Sequence, residues 1–169
     1  IGSKFVDVDN YCPTKAGGII AQVNGIANIT GAVVSGSIST AHRWDTKGSK
    51  QVNHTLGGIL GECNDAVTIK NSNNNAAITW DRASSTNRVQ YSSVAIGGIA
   101  GRILGGNALI ENCNSNANLY NGCYNNGTYD TYAKPNCTGG IVGSFGLSAN
   151  TISETLTVRN CTNQGKLRA

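Results

Sequence analysis

A short glycine-rich motif, Gly57-Gly58-Ile59-Leu60-Gly61, organises this chain. Two glycines, an isoleucine, an apolar residue and a small residue occur in this order four times, beginning at Gly17, Gly57, Gly97 and Gly139. The steps between the copies are 40, 40 and 42 residues. A fixed period of this length is typical of proteins built from stacked repeats. We therefore divide the chain into residues 1–15 and four repeats, 16–56, 57–96, 97–138 and 139–169.

A second block follows each opening motif, and in it β-branched residues or Leu alternate with polar residues. In the second repeat the block reads Val67-Thr68-Ile69-Lys70-Asn71-Ser72. Alternation with a period of two over so short a run predicts half-buried β-strands rather than helices. An Asn- and Gly-rich turn and a short strand come next. Each repeat is thus predicted to contain three strands and a variable segment that returns to the next Gly-Gly pair.

A single repeat of this kind cannot bury its own apolar face. Stacking in parallel would bury Ile, Val and Leu against their equivalents in the neighbouring repeats. By this alignment Ile29, Ala32 and Ile38 are equivalent to residues 69, 72 and 78. The recurrent Asn of the turn is expected to form a ladder of stacked amides. The predicted fold is all-β, a parallel β-solenoid of the right-handed β-helix type, with 16–169 as one domain and 1–15 as a cap or lead-in.

The composition agrees with a thin, repetitive core. Hydrophobic residues make up 39% of the 169 residues, and charged residues 13%, about half the usual share. The net charge is +4, but no run of Lys or Arg reaches three, so we expect no nucleic-acid partner. No apolar run is long enough to span a membrane. The chain contains no Met, and we expect a mature form or excised segment of a secreted protein.

The Gly-Gly-Ile-x-Gly opening and the turn Asn160-Cys161-Thr162-Asn163-Gln164-Gly165 together resemble the GLUG-type repeats of bacterial surface proteins. The resemblance covers residues 16–169, and the first repeat departs from it with Gly31-Ala32-Val33 at the turn. Cell-surface and adhesin-like proteins, many from gut Bacteroidetes, carry such repeats, and some surface peptidases carry them as accessory modules. The resemblance implies an extracellular or cell-surface location and a scaffold that serves several activities.

The six cysteines fall into two groups by their position in the repeat. Cys63, Cys113 and Cys161 occupy slots that other repeats fill with small or apolar residues, so we predict that they are core thiols. Cys123 and Cys137 flank a 13-residue segment rich in Asn, Tyr and Gly, and a disulfide between them would restrain a loop without a core. There is no Cys-x-x-Cys spacing, and the two His lie apart, so neither a metal site nor a cofactor is expected.

The acidic residues do not follow a pattern that indicates a catalytic site. None of the nine acids occupies the same slot in neighbouring repeats, so we predict no catalytic residue. Asp45 and Asp81 come nearest to a pair, since each follows a Trp just after the third predicted strand. They keep open the alternative of a β-helical carbohydrate-active enzyme.

The variable segments, at about residues 40–55, 80–95 and 120–138, are the places where function is expected. Insertions at one point of a stacked repeat emerge on one face, which is commonly the binding face. These segments hold both Trp and most Tyr, and exposed aromatic rings beside Arg and Asn suit sugar rings and protein surfaces. The same aromatic residues could instead pin the loops to the scaffold. The predicted contact residues are His42, Arg43, Trp44, Trp80, Arg82, Arg88, Tyr91, Tyr120, Tyr124, Tyr129 and Tyr132.

The sequence therefore favours a non-catalytic cell-surface or secreted module that recognises a glycan or a host protein through its aromatic-bearing loops. A structural subunit of an extracellular fibre or surface layer is the first alternative. Its basis is that an uncapped solenoid presents open strand edges and an apolar cross-section at its ends, which like subunits could cover.

Overall fold

The structure, a computed structural model, describes residues 4–6, 14–42, 52–82, 92–122, 137–146 and 154–168. In these ranges the chain forms β-strands and no helix. One strand, β1 (Lys4–Val6), precedes four successive groups of five strands, which we call layers 1 to 4.

The second, third and fourth strands have the same lengths in every layer, whereas the first and last strands vary. Layer 1 contains β2 (Lys15–Gly17), β3 (Ile20–Val23), β4 (Ala27–Thr30), β5 (Val33–Val34) and β6 (Ser37–His42). Layer 2 contains β7 (Val52–Gly57), β8 (Leu60–Cys63), β9 (Val67–Lys70), β10 (Asn73–Asn74) and β11 (Ala77–Arg82). Layer 3 contains β12 (Ser92–Gly97), β13 (Ala100–Ile103), β14 (Ala108–Glu111), β15 (Asn114–Ser115) and β16 (Leu119–Asn121). Layer 4 contains β17 (Cys137–Gly139), β18 (Val142–Phe145), β19 (Leu156–Arg159), β20 (Thr162–Asn163) and β21 (Leu167–Arg168).

Every strand of a layer pairs in parallel with its equivalent in the next layer. The result is five sheets, with the orders β17-β12-β7-β2, β18-β13-β8-β3, β19-β14-β9-β4, β20-β15-β10-β5 and β1-β6-β11-β16-β21. The register joins equivalent residues, so that Ile29 lies opposite Ile69, and Ile69 opposite Ile110. The predicted all-β chain with parallel stacked strands is confirmed.

The strand count per repeat differs from the prediction of three. The structure adds a strand before each Gly-Gly pair, such as β7, and a two-residue strand after each Asn corner, such as β10. The strand before the variable segment is also longer than expected and extends to His42 in layer 1 and to Arg82 in layer 2. The variable segments are therefore shorter than predicted, and some of their assigned residues belong to the sheets.

The Gly-Gly pair forms the bend between the first two strands of each layer. A Cβ on Gly57 would collide with the carbonyl oxygen of Leu60 in the same layer, and a Cβ on Gly58 with the carbonyl oxygen of Gly98 in the next layer. Hydrogen bonding between layers continues through the bend, where the Gly58 N–H donates to the Gly97 carbonyl at 3.2 Å. Glycine is required here because both the bend and the contact between layers leave no space for a side chain.

A second corner, between the third and fourth strands of each layer, uses left-handed backbone. Asn71, Asn112 and Asn160 have φ of 50°, 54° and 53°, in a region that Asn tolerates better than most residues. Gly31 takes this position in layer 1 with φ of 70°, so the first repeat makes the same turn despite its different sequence. The Asn112 Nδ2 donates to the Asn71 Oδ1 at 3.2 Å, which confirms the expected amide ladder.

All five sheets contribute to one cluster of buried apolar side chains. Its largest wholly buried members come from layers 2 and 3: Trp80, Leu56, Ile59, Leu60, Ile69, Ile78, Ile96, Ile99, Ile103, Ile110 and Leu119. Each fully buried side chain of this size stabilises the fold by about 1.5–3 kcal/mol relative to an exposed one. In layer 4 the equivalent residues Ile141, Phe145 and Leu156 are only partly buried against this cluster. Layers 2 and 3, which have a neighbour on both sides, therefore hold most of the core.

The bend geometry predicts the effect of adding one methyl group. In Gly98→Ala the new Cβ would meet the Gly140 carbonyl oxygen and the Ser115 side chain, and we expect a loss of about 3 kcal/mol in the free energy of unfolding. In Gly25→Ala the Cβ meets nothing within 4 Å, so this control should change stability by less than about 1 kcal/mol. Urea unfolding measures both, and equal stabilities of the two variants would contradict this account of the bend.

Candidate binding surfaces

The three variable segments are attached side by side. Strands β6, β11 and β16, which precede them, are neighbours in one sheet, and β7, β12 and β17, which follow them, are neighbours in another. Because these sheets are parallel, the segments leave along one edge and return along another. We call the region where these strands end and begin the loop edge. The shared attachment is what an insertion at one point of a repeat predicts.

Most of the predicted contact residues fall outside the described residues. These are Arg43, Trp44, Arg88, Tyr91, Tyr124, Tyr129 and Tyr132. His42 and Arg82 end β6 and β11 and lie opposite each other in the sheet, but their side chains also lie outside the description. Trp80 and Tyr120 are the predicted contact residues whose side chains are described.

The position of Trp80 corrects the prediction. It lies within β11 rather than in a variable segment, and its side chain is 0% exposed. Because side chains alternate along a strand, Trp80 points to the same side as Ile78, into the core. Its ring lies 6.0 Å from the ring of His54, which is also buried. Trp80 therefore fills the core at the loop edge and is not available to a ligand.

Tyr120, in contrast, lies on the outer side of its sheet. It is half-buried on β16, opposite Thr79 of β11 and Arg168 of β21. The guanidinium carbon of Arg168 lies 5.5 Å from the centroid of the Tyr120 ring, in a cation–π contact. An aromatic ring with a cationic donor beside it, close to the loop edge, can contact the flat face of a sugar or a protein side chain.

The cysteines of the repeated slots lie in or against the core. Cys63 and Cys113 are wholly buried, and burial raises the pKa of both thiols. Cys161 is partly buried, and its Sγ accepts a hydrogen bond from the Cys113 N–H at 3.4 Å. Raised pKa values make the two buried thiols poor nucleophiles. Cys123 lies outside the described residues, so the disulfide between Cys123 and Cys137 stays a prediction.

The described carboxylates are bound to structural partners. Glu62 is buried and forms an ion pair with Lys15. The Glu154 carboxylate accepts a hydrogen bond from the Gly106 N–H at 3.1 Å. Among the residues that the structure describes, no cluster of His, Cys, Asp and Glu could hold a metal ion.

The structure does not describe the side chains of Asp45 and Asp81, the acidic pair that kept the enzyme alternative open. Asp45 lies outside the described residues, and Asp81 is placed on β11 by its backbone alone.

A ladder of opposite charges crosses layers 2 to 4 on the outer side of the β19-β14-β9-β4 sheet. The Glu111 carboxylate lies 2.7 Å from Arg159 Nε and 3.2 Å from Lys70 Nζ. Hydrogen bonds from Arg159 and then from Lys70 hold the pKa of Glu111 below its ordinary value. The exposed Arg159 and the partly buried Glu111 and Lys70 thus join three layers at one column of the sheet.

The outer side of the β20-β15-β10-β5 sheet presents amides instead of charges. We call this surface the amide face. Its residues line an open groove of about 480 Å³: Asn73, Asn75, Asn114, Asn116, Thr162 and Gln164. Sequence reasoning assigned the Asn-rich region to a structural turn and missed this surface. The sequence did contain a signal for this surface. Asn recurs at alternate positions in both the second and third repeats, as outward-facing strand residues do.

Comparison of the chain with protein-family models, with curated proteins and with solved structures found no match. The likeness to GLUG-type repeats therefore stays a proposal that depends on the motifs alone. In the ranges that the structure describes, no helix is long and apolar enough to cross a membrane.

The charge ladder predicts a pH-dependent contribution to stability. The pKa of Glu111 is lower in the folded chain, so the ladder stabilises the fold above the ordinary pKa of glutamate and loses this effect as the pH falls through the lowered value. Glu111→Gln should therefore unfold at a lower urea concentration than the wild type at neutral pH. The difference should disappear in acid and shrink at high salt. A difference that is the same at every pH would show that the charge of Glu111 contributes nothing.

Proposed function

We propose that the chain forms a closed parallel β-solenoid of the right-handed β-helix type, in which each layer is one turn. The five in-register sheets and the core that they share support this proposal. From the resemblance to GLUG-type repeats we further propose that this solenoid belongs to a secreted or cell-surface protein.

Within this architecture the proposed function is non-catalytic recognition of a glycan or a host protein. The observation that carries the proposal is the loop edge, where three variable segments are attached to neighbouring strands beside the outward-facing Tyr120 and Arg168. A repeated scaffold that carries its variation at one place can change its ligand without changing its core. The half-buried, outward-facing ring of Tyr120 supplies rigid contact area of the kind that dominates binding energy in recognition surfaces.

Tyr120 provides the test of this proposal. Tyr120→Ala removes the ring from the surface of β16 and should weaken ligand binding by about 1–3 kcal/mol with little change in stability. Tyr120→Phe keeps the ring beside Arg168 and should bind nearly as the wild type does. A glycan array and a mucin pull-down would identify the ligand. The variant Trp44→Ala would extend the test to the first variable segment. Absence of wild-type binding to every glycan and host protein tested would contradict the proposal.

A second candidate function is assembly end to end, and the exposure of core-slot residues at the ends of the stack favours it. Ile19 in layer 1 is 52% exposed, whereas its equivalent Ile59 in layer 2 is wholly buried. In layer 4 Val158 is 43% and Leu167 is 51% exposed, although their equivalents in layer 3 are buried. The strands of layer 4 also pair on one side only within the described sheets. Another copy could cover both the apolar residues and the open strand edges.

Assembly through the ends makes a distinct prediction. At micromolar concentration the wild type should form filaments visible by electron microscopy. The double variant Val158→Lys/Leu167→Lys should remain monomeric, because charged side chains at an open edge oppose pairing. Light scattering would measure the mass of both. A wild type that remains monomeric across this concentration range would exclude the assembly function and leave the recognition function untouched.

A further inference from the structure

The asparagines of the amide face have no backbone role that explains them. The corner accounts for Asn71, Asn112 and Asn160, because they alone among the described non-glycine residues have positive φ. Asn73 and Asn114 instead lie in extended strands, where Asn is normally depleted. The inward-facing Asn74 and Asn163 bond through their side chains to the backbone of the same layer, whereas the side chains of Asn73 and Asn114 bond to other side chains. The backbone conformation therefore does not explain these outward amides, and the bonds that they form are to equivalent side chains in the neighbouring layers.

The outward amides are held in one orientation by bonds between layers. Asn114 Nδ2 donates to Asn73 Oδ1 at 3.1 Å, and Asn116 Nδ2 donates to Asn75 Oδ1 at 2.8 Å. Thr162 Oγ1 continues the first ladder by donating to Asn114 Oδ1 at 2.7 Å. A primary amide has two N–H groups and two acceptor positions, so each ladder residue keeps at least one donor and one acceptor for solvent or a ligand. Side chains that are already fixed lose little entropy on binding.

The groove of the amide face runs along the stack. One side is the column of Asn73, Asn114 and Thr162, and the other is the column of Asn75, Asn116 and Gln164, two residues further along the chain and just past the end of each strand. Columns two residues apart are separated by roughly 7 Å, and successive layers by about 4.8 Å. Three layers thus give a shallow groove about 10 Å long in which Asn amides recur in layers 2 and 3 and a Thr hydroxyl and a Gln amide follow in layer 4. Such a groove suits an extended chain with a repeating chemical unit.

The charge and polarity of the side chains that line the groove indicate which kind of extended chain could bind there. None of the six lining residues is charged, so neither a polyanion nor a basic peptide finds an opposite charge there. None is aromatic or aliphatic apart from the Thr methyl group, whereas protein interfaces are usually centred on such residues. Amides both donate and accept, and so do the hydroxyl groups of an uncharged sugar.

We propose that the amide face binds a neutral polysaccharide chain that lies along the stack, with sugar hydroxyls bonded to Asn73, Asn75, Asn114 and Asn116. The proposal rests on the recognition function and names a ligand class for it, at a surface separate from the loop edge. Each exposed hydrogen bond replaces one to water and contributes little, so a single sugar binds too weakly to detect. A polymer that repeats the contact at successive layers accumulates affinity.

The test uses the full chain and four insoluble neutral polymers: cellulose, chitin, mannan and a β-1,3-glucan. The double variant Asn73→Thr/Asn114→Thr removes two amides but keeps hydroxyls that can bond between layers, as Thr162 does in layer 4. Thr also favours strands, so the melting temperature should not fall. Asn24→Thr/Asn28→Thr is the matched control, because it removes two exposed asparagines elsewhere, one of which accepts a bond between layers from Asn64.

We expect the wild type and the control to be depleted from solution by at least one neutral polymer and displaced by its soluble oligomers, but not by monosaccharides. The Asn73→Thr/Asn114→Thr variant should bind about tenfold more weakly. The proposal is overturned if both double variants bind equally, if only anionic polymers such as alginate or heparin are bound, or if the variant changes self-association instead. Binding lost in Tyr120→Ala but retained in Asn73→Thr/Asn114→Thr would overturn the amide face as a site and leave the loop-edge function standing.

Discussion

Each layer of this chain is held to the next by backbone hydrogen bonds that run through the strands and through the Gly-Gly bend between them. This bonding places every residue against its equivalent in the neighbouring layer, about 4.8 Å away. A residue is therefore tolerated only if its side chain is compatible with the residues at the same position in the neighbouring layers, either by packing with a like residue or by bonding to a complementary one. Gly58 and Gly98 meet this condition at the bend because they have no side chain, and Asn71 and Asn112 meet it at the corner by bonding to each other.

The same constraint explains how much of the fold could be predicted from the sequence. Because equivalent residues share one environment, the repeated glycines and the column of Ile29, Ile69 and Ile110 identify both the period and the stacking direction. The slot shared by Cys63 and Ile103 could be assigned for the same reason. Even Gly31, which breaks the motif, takes the left-handed position of the corner asparagines, since Gly and Asn are interchangeable there.

The roles of Trp80 and the outward-facing asparagines could not be resolved from the sequence, because Trp and Asn each occur both in structural positions and at binding surfaces. Trp80 continues the inward alternation of Ile78, yet aromatic residues beside polar loops also mark binding sites, and the sequence alone left both interpretations open. Asn presents the same ambiguity. It suits the corner where φ is positive, as at Asn112, and it faces outward on the strand two residues later, at Asn114. Composition cannot separate these two roles without the backbone conformation, so the amide face was not predicted.

The stacking of layers also determines how such a chain can fold. The register pairs residues about 40 positions apart in the sequence, as Ile29 with Ile69, and the described strands form no hairpins. Closing such long loops before any pairing is gained makes the first step slow. Once two layers have paired, the exposed edge of the second is a template on which the next layer can form. Folding is thus expected to resemble nucleation followed by growth along one axis.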